Sequence, residues 1–289
     1  MPPDVLLPLC SGLGYALAAL LLKRATEGGV GPWRAMVVTN WMNSLILGLW
    51  WFSGGKAFAW DHFWHAVLTG AVFFIAQIFV FLALSRGDVS VATPVLGTKV
   101  IFVVLFTKML TSAPMPGAWW NAALLTALGT ALLGGGPPKR GAGVGIVFGF
   151  IAAALFSLTD VWCQMWAPAW GFGHFAPVMF GTVGLLSFGL IPIFREPLRA
   201  MGRVNFSWLL GGAVLIGLQV TCVAYTVMVY GGATRVNILY NTRGVWSVVL
   251  VWVFGHWFGN TERNLGIAVL ARRLVGALLL LAAIALVTL

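Results

Sequence analysis

The 289 residues are 60% hydrophobic and only 8% charged, with a mean hydropathy of +0.96. Soluble domains carry about 25% charged residues, so this composition excludes an ordinary soluble fold. The net charge of +10 comes from 17 basic against 7 acidic side chains, but most cations lie in short loops between apolar runs, where topology and anionic lipid explain them better than nucleic acid does.

A helix crossing the bilayer core needs about 20 mostly apolar residues. Ten stretches qualify: 5–23, 34–53, 64–85, 93–111, 119–135, 143–166, 175–194, 207–230, 237–258 and 272–288. The first follows Asp4 and continues to Leu22, which fits a retained transmembrane helix rather than a signal peptide. The second carries Asn40 and Asn43, and the third aligns Gln77, Phe81 and Ser85 on one side, with Asp88 just beyond. The fourth offers Thr98 and Lys99, while the fifth is almost without polar side chains. On the sixth, Ser157, Asp160 and Gln164 form one stripe; on the eighth, Gln219, Cys222, Thr226 and Tyr230 do. The ninth places Arg243 beside Asn237, Tyr240 and Asn241, with Arg235 just before it and Trp246 just after; the tenth is again nearly all apolar. The polar stripes predict a cavity between helices 1–4 and 6–9, with helices 5 and 10 as scaffold.

Turn formers separate the runs, at Gly28-Gly29, Gly54-Gly55, Pro114 and Pro116, 134–138, 171–173 and Gly231-Gly232. Trp50, Trp51, Trp119, Trp120, Trp166, Trp170 and Trp257 cluster at run ends, as an interfacial aromatic belt does. Cys10, Cys163 and Cys222 lie within apolar runs with no metal or disulfide spacing, and 61–65 (DHFWH) lacks a further ligand, so neither a metal nor another cofactor is expected. No nucleophile elbow, zinc-protease helix, P-loop or dinucleotide fingerprint is present, so no enzymatic activity is expected.

One stretch is written twice. Shifting GDVSVATPVLGTK (87–99) by 144 positions lays it on GGATRVNILYNTR (231–243), with Thr98 on Thr242 and Lys99 on Arg243. The echo divides the chain into halves of five helices, 1–138 and 139–289, within one compact transmembrane domain. An odd number per half inverts the second relative to the first, the plan of many secondary transporters. A cation inside a membrane-length run costs several kcal/mol, about 3 on insertion scales, unless it faces protein or water. Lys99 and Arg243 therefore either hold an anionic group near the midplane or are neutralised internally, Asp160 being the carboxylate deep enough to do so. Asp160 is then a counter-ion or a proton-coupling group. Gln77, Gln219, Asn40, Asn43, Asn237 and Asn241 are candidate substrate contacts or interhelical glue, and Tyr15, Tyr240 and Trp246 candidate stacking surfaces. Lys23 and Arg235, near helix ends, are expected to snorkel to the interface.

These features resemble the drug/metabolite transporter superfamily, EamA type. The resemblance rests on the Gly-Tyr-Ala…Lys23 pattern of the first helix, Ala83-Leu84-Ser85 with Ser90 to Pro94, and 98–102 (TKVIF). It also rests on Glu262 followed by Arg273 and its apolar tail. It spans essentially the whole chain, on loose patterns rather than fingerprints, and the family's usual proline is Val100 here. The resemblance implies a multi-pass cell-membrane protein, monomer or homodimer, that moves a small molecule by alternating access. In related sugar-phosphate and nucleotide-sugar exchangers, basic residues of helices 4 and 9 hold the phosphate; Lys99 and Arg243 lie on the corresponding helices. A substrate with an anionic group is the leading expectation, and an aromatic or other zwitterionic amino acid the alternative. A channel or a lipid-acting membrane enzyme fits less well. The bias of Lys and Arg among the loops favours termini on the non-cytoplasmic side, opposite to the family's habit.

Overall fold

A computed structural model describes residues 2–86, 95–112, 116–134, 143–194, 196–254 and 267–288. Among these residues the chain is all helical, with no strand. That is what a bilayer demands, because backbone groups without water must be satisfied within the segment. Eleven α-helices are described: α1 (Pro3–Glu27), α2 (Pro32–Gly48), α3 (Trp60–Arg86), α4 (Lys99–Leu110), α5 (Gly117–Gly134), α6 (Gly143–Trp170), α7 (Phe172–Ser187), α8 (Arg203–Tyr225), α9 (Ala233–Tyr240), α10 (Arg243–Phe254) and α11 (Ile267–Thr288). Short 3₁₀ turns extend α2 and α7 through Ser53 and Ile193, and a π turn extends α8 through Tyr230. Among the described residues six segments are long and apolar enough to cross a membrane: Pro3–Glu27, Trp60–Ala83, Gly143–Trp170, Phe172–Ile193, Arg203–Tyr230 and Ala271–Thr288.

Helix ends follow the local chemistry. Proline opens α1 and α2, where its missing N–H is no loss, and α1 carries Asp4 in its first turn and Arg24 in its last, matching the helix dipole. Lys56 closes α6: its backbone N–H donates to Trp170 O at 2.9 Å and its ammonium to Pro168 O at 2.7 Å, satisfying carbonyls that the helix end leaves bare. His174 Nδ1 lies 3.2 Å from Lys56 O, so the same turn is fastened to α7. Between α8 and α9 the chain turns through Gly231 and Gly232 at φ +72° and +66°, a region that side-chain-bearing residues rarely enter.

Packing is extensive between α3 and α6, α1 and α8, and α5 and α11, with α2 against both α7 and α8 and α3 against α7. Several of these contacts come in pairs. α3 meets α6 as α8 meets α1, α3 meets α7 as α8 meets α2, and α4 meets α6 as α9 and α10 meet α1. Inside a bilayer no hydrophobic contrast drives such contacts, so close van der Waals fit and polar pairs must hold them. The largest buried cluster centres on Trp170, Phe175, Met179 and Phe180. Trp170 is thus fully buried rather than part of an interfacial belt, whereas Trp50 and Trp51 are exposed as the belt expects. Trp257 and the loops bearing Lys139, Arg140, Glu262 and Arg263 lie outside the described residues, as does 87–94 of the echo, including Asp88 and Pro94.

Candidate functional site: a central cavity with one unpaired cation

The sixth-run stripe is the seam on which the site is built. From α6, Ser157 Oγ donates to Lys99 O at 2.8 Å, Asp160 Oδ2 lies 2.7 Å from Lys99 Nζ, and Gln164 Oε1 accepts the Ala233 N–H at 2.7 Å. Asp160 Oδ2 also accepts from Asn237 Nδ2 at 2.7 Å. Three polar side chains at helical spacing therefore tie α6 to the start of α4 and to α9. Lys99 and Asp160 are 20% and 16% exposed, open enough to reach a solute yet withdrawn from bulk solvent.

The two breaks that carry the cations are built alike. Thr98 Oγ1 donates to Val95 O at 2.6 Å, and Thr242 Oγ1 to Leu239 O at 2.8 Å, each followed by the first residue of a helix: Lys99 on α4 and Arg243 on α10. The ninth run is consequently not one helix but two, α9 and α10, parted at Asn241-Thr242. Gly12 on α1 makes room for this break. A Cβ there would sit 2.7 Å from Thr242 Oγ1, 3.0 Å from Arg243 N and 3.2 Å from Tyr240 O. Gly12→Ala is expected to displace Arg243 and lower stability by about 1–3 kcal/mol. Thermal melting of the purified protein with and without a bound anion checks this: both the baseline and the anion-induced shift should fall.

Lys99 and Arg243 have different surroundings. Lys99 is neutralised by Asp160. Arg243 is flanked by two aromatic rings set edge to face, its guanidinium carbon 4.9 Å from the Tyr15 ring centre and 4.7 Å from that of Tyr240, and it donates to Tyr240 Oη at 3.2 Å. Among the described residues no carboxylate pairs with it. With one hydrogen bond spent on Tyr240, the guanidinium fork keeps donors for a bidentate acceptor.

These residues border a cavity of about 450 Å³, lined from α1 by Tyr15, from α2 by Asn40, from α3 by Gln77, from α4 by Lys99, from α6 by Asp160, from α7 by Phe180, from α8 by Gln219, and by Tyr240 and Arg243. No described residue of α5 or α11 reaches it. Several of the amides are already engaged. Asn40 and Gln77 exchange hydrogen bonds at 2.8 and 2.9 Å, and Asn40 also donates to Ser187 Oγ at 2.9 Å. Gln219 Oε1 accepts from Ser11 Oγ at 2.9 Å.

Three residues expected at the site are not on the cavity, among them Asn237, which is buried and bonded to Asp160. Asn241 is 4% exposed and turns back to donate to Asn237 O at 2.9 Å, satisfying the break itself. Trp246 is 37% exposed and lies one turn beyond the break, away from the lining. The π turn likewise takes Tyr230 off the eighth-run stripe, leaving it exposed while Thr226 is buried. Arg235 does not snorkel: it meets Asp4 Oδ2 at 2.7 Å, joining α9 to the start of α1. Arg34, unremarked in the sequence, is buried and donates to Gly29 O at 2.7 Å while facing Glu196 at 3.4 Å. Its lone charge at a proline-led helix start was the available signal. Among the described residues no three His, Cys, Asp or Glu side chains converge as metal ligands would.

Fold and cavity together define a polytopic helical membrane protein built around a solute-sized central chamber. Residues 3–135, a little under half of the chain, match the EamA-like transporter family, and this match supports membership of the drug/metabolite transporter superfamily. A solved crystal structure, described only as that of a protein, is similar over 99% of this chain and 96% of its own, with a TM-score of 0.77 at 19% identity; the likeness is one of fold. The comparison with curated proteins returned no match.

Proposed function

We propose that the protein is a secondary-active transporter of the cell membrane, built from ten transmembrane helices in two inverted five-helix repeats, which binds the anionic group of a small metabolite at Arg243. The observation that carries this reading is the ring-flanked guanidinium without a carboxylate partner among the described residues, facing a cavity bordered by α1–α4 and α6–α10. The paired helix contacts and the matching breaks before Lys99 and Arg243 support the repeat. α9 and α10 together form the ninth helix of that plan.

Alternating access is supported by the cavity's asymmetry. Its lining runs to Leu22, Ala35, Val80 and Leu96, close to one end of the bundle. At the other end the first three turns of α1 and α3 contribute nothing, and Asp4–Arg235 and the packing around Trp170 close the bundle. Rocking of the halves would open the second end by parting α1 from α9.

The test is counterflow in proteoliposomes. Vesicles preloaded with an unlabelled anion should accumulate labelled anion transiently and saturably, which a carrier does and a channel does not. Linear, unsaturable flux would mean a pore. Exchange restricted to zwitterions, and lost in Asp160→Asn, would favour an amino-acid carrier instead.

A further inference from the structure

The cavity's bonding capacity is largely spent within the protein. Asn40 and Gln77 satisfy one another, Gln219 accepts from Ser11, and Asp160 holds both Lys99 and Asn237. What is left is the Tyr15 and Thr39 hydroxyls, the Gln219 amide nitrogen and two further groups. Of the five N–H donors of a guanidinium, Arg243 directs one at Tyr240. Asn43 Oδ1 is buried with no partner among the described residues. Much of the remaining lining is apolar, formed by side chains such as Met36, Phe73, Phe156, Phe180, Ile216 and Val223.

Charge is similarly spent. Lys99 and Asp160 cancel at 2.7 Å, so the described lining carries one net positive charge, on Arg243. A dianion would bring one charge that finds no counter-ion on the described lining of a low-dielectric chamber. An ammonium group would have to compete with Lys99 for the cavity's carboxylate.

Resting on the transporter reading above, we infer that the substrate is an amphipathic monoanion: a single carboxylate seated on Arg243, with an alkyl or aryl body against the apolar wall and no ammonium group. The Lys99–Asp160 pair sets this selectivity by cancelling the second cation, so it acts as a charge filter rather than as a ligand.

The full-length protein in detergent would be titrated with phenylacetate, phthalate, phenylalanine and inorganic phosphate. Phenylacetate should bind about tenfold more tightly than each of the others, a difference of about 1.4 kcal/mol. In Asp160→Asn, Lys99 is uncancelled, and phthalate affinity should rise about tenfold; Lys99→Gln added to that variant should remove the gain. Tighter binding of phthalate, phenylalanine or phosphate to the parent protein overturns the inference, as does an unchanged phthalate affinity in a folded Asp160→Asn. If that variant does not elute as one species, the four-ligand ranking on the parent protein decides by itself. Counterflow of labelled phenylacetate separates the two claims. Binding without movement defeats the transport reading alone, and movement of a different ligand class defeats the substrate assignment alone.

Discussion

Replacing Arg243 with glutamine is expected to abolish anion-induced stabilisation and to cut counterflow at least a hundredfold, while leaving the unliganded melting temperature close to that of the parent. A charge-assisted hydrogen bond in a site withdrawn from water contributes about 1.5–3 kcal/mol, and a guanidinium fork makes two of them to one carboxylate. The loss should fall on binding and not on folding. Arg243 interacts with Tyr15 and Tyr240 through their rings and one hydroxyl, so its removal strands no partner charge among the described residues. Arg243→Lys separates charge from shape: the ammonium keeps the positive field but loses the fork, and about a tenfold loss is expected. A folded Arg243→Gln protein that still binds and exchanges anions would remove this residue from the site.

The second large effect is on stability, at the Lys99–Asp160 pair. Lys99→Gln leaves Asp160 with Asn237 as its remaining polar partner, and Asp160→Asn leaves Lys99 with no carboxylate within the site. Each single change is expected to cost about 3 kcal/mol, near the lower end for breaking a buried ion pair because both groups face the cavity. The double variant should recover most of that loss, because no charge is then left alone. Melting of the four proteins under one set of conditions gives the coupling. Simple additivity of the two losses would show that the 2.7 Å contact is not energetically shared. A dianion added to Asp160→Asn should restore part of its melting temperature, since it supplies the negative charge that the substitution removed.

The same residues show how far the sequence reaches. Apolar runs of membrane length fix where helices lie, because a chain in a bilayer has no other way to satisfy its backbone. The offset that lays Lys99 on Arg243 was visible as letters, and the structure gives both residues the same local setting, a threonine bonded back to the third carbonyl before it and a helix starting at the cation. Helical spacing put Ser157, Asp160 and Gln164 on one face, and all three reach across from that face. Runs 5 and 10, poor in polar side chains, correspond to α5 and α11, which contribute no described residue to the cavity.

Sequence by itself thus determined the membrane-embedded, all-helical character of the chain, the faces that share polar residues and the two positions where a cation interrupts an apolar run. Only the tertiary structure decided which cation is neutralised. Periodicity says which side chains share a face but not how far a helix is rotated toward its neighbour, and that rotation gives Asp160 to Lys99 and two tyrosine rings to Arg243. It also decided that Asn241 caps a helix break, that Trp246 stays outside, and that Trp170 is core. In lipid the outer face is as apolar as the core, so hydropathy marks neither one. Gly12 is the plainest case: one glycine among 36, it matters because the backbone at Thr242 and Arg243 happens to press against it.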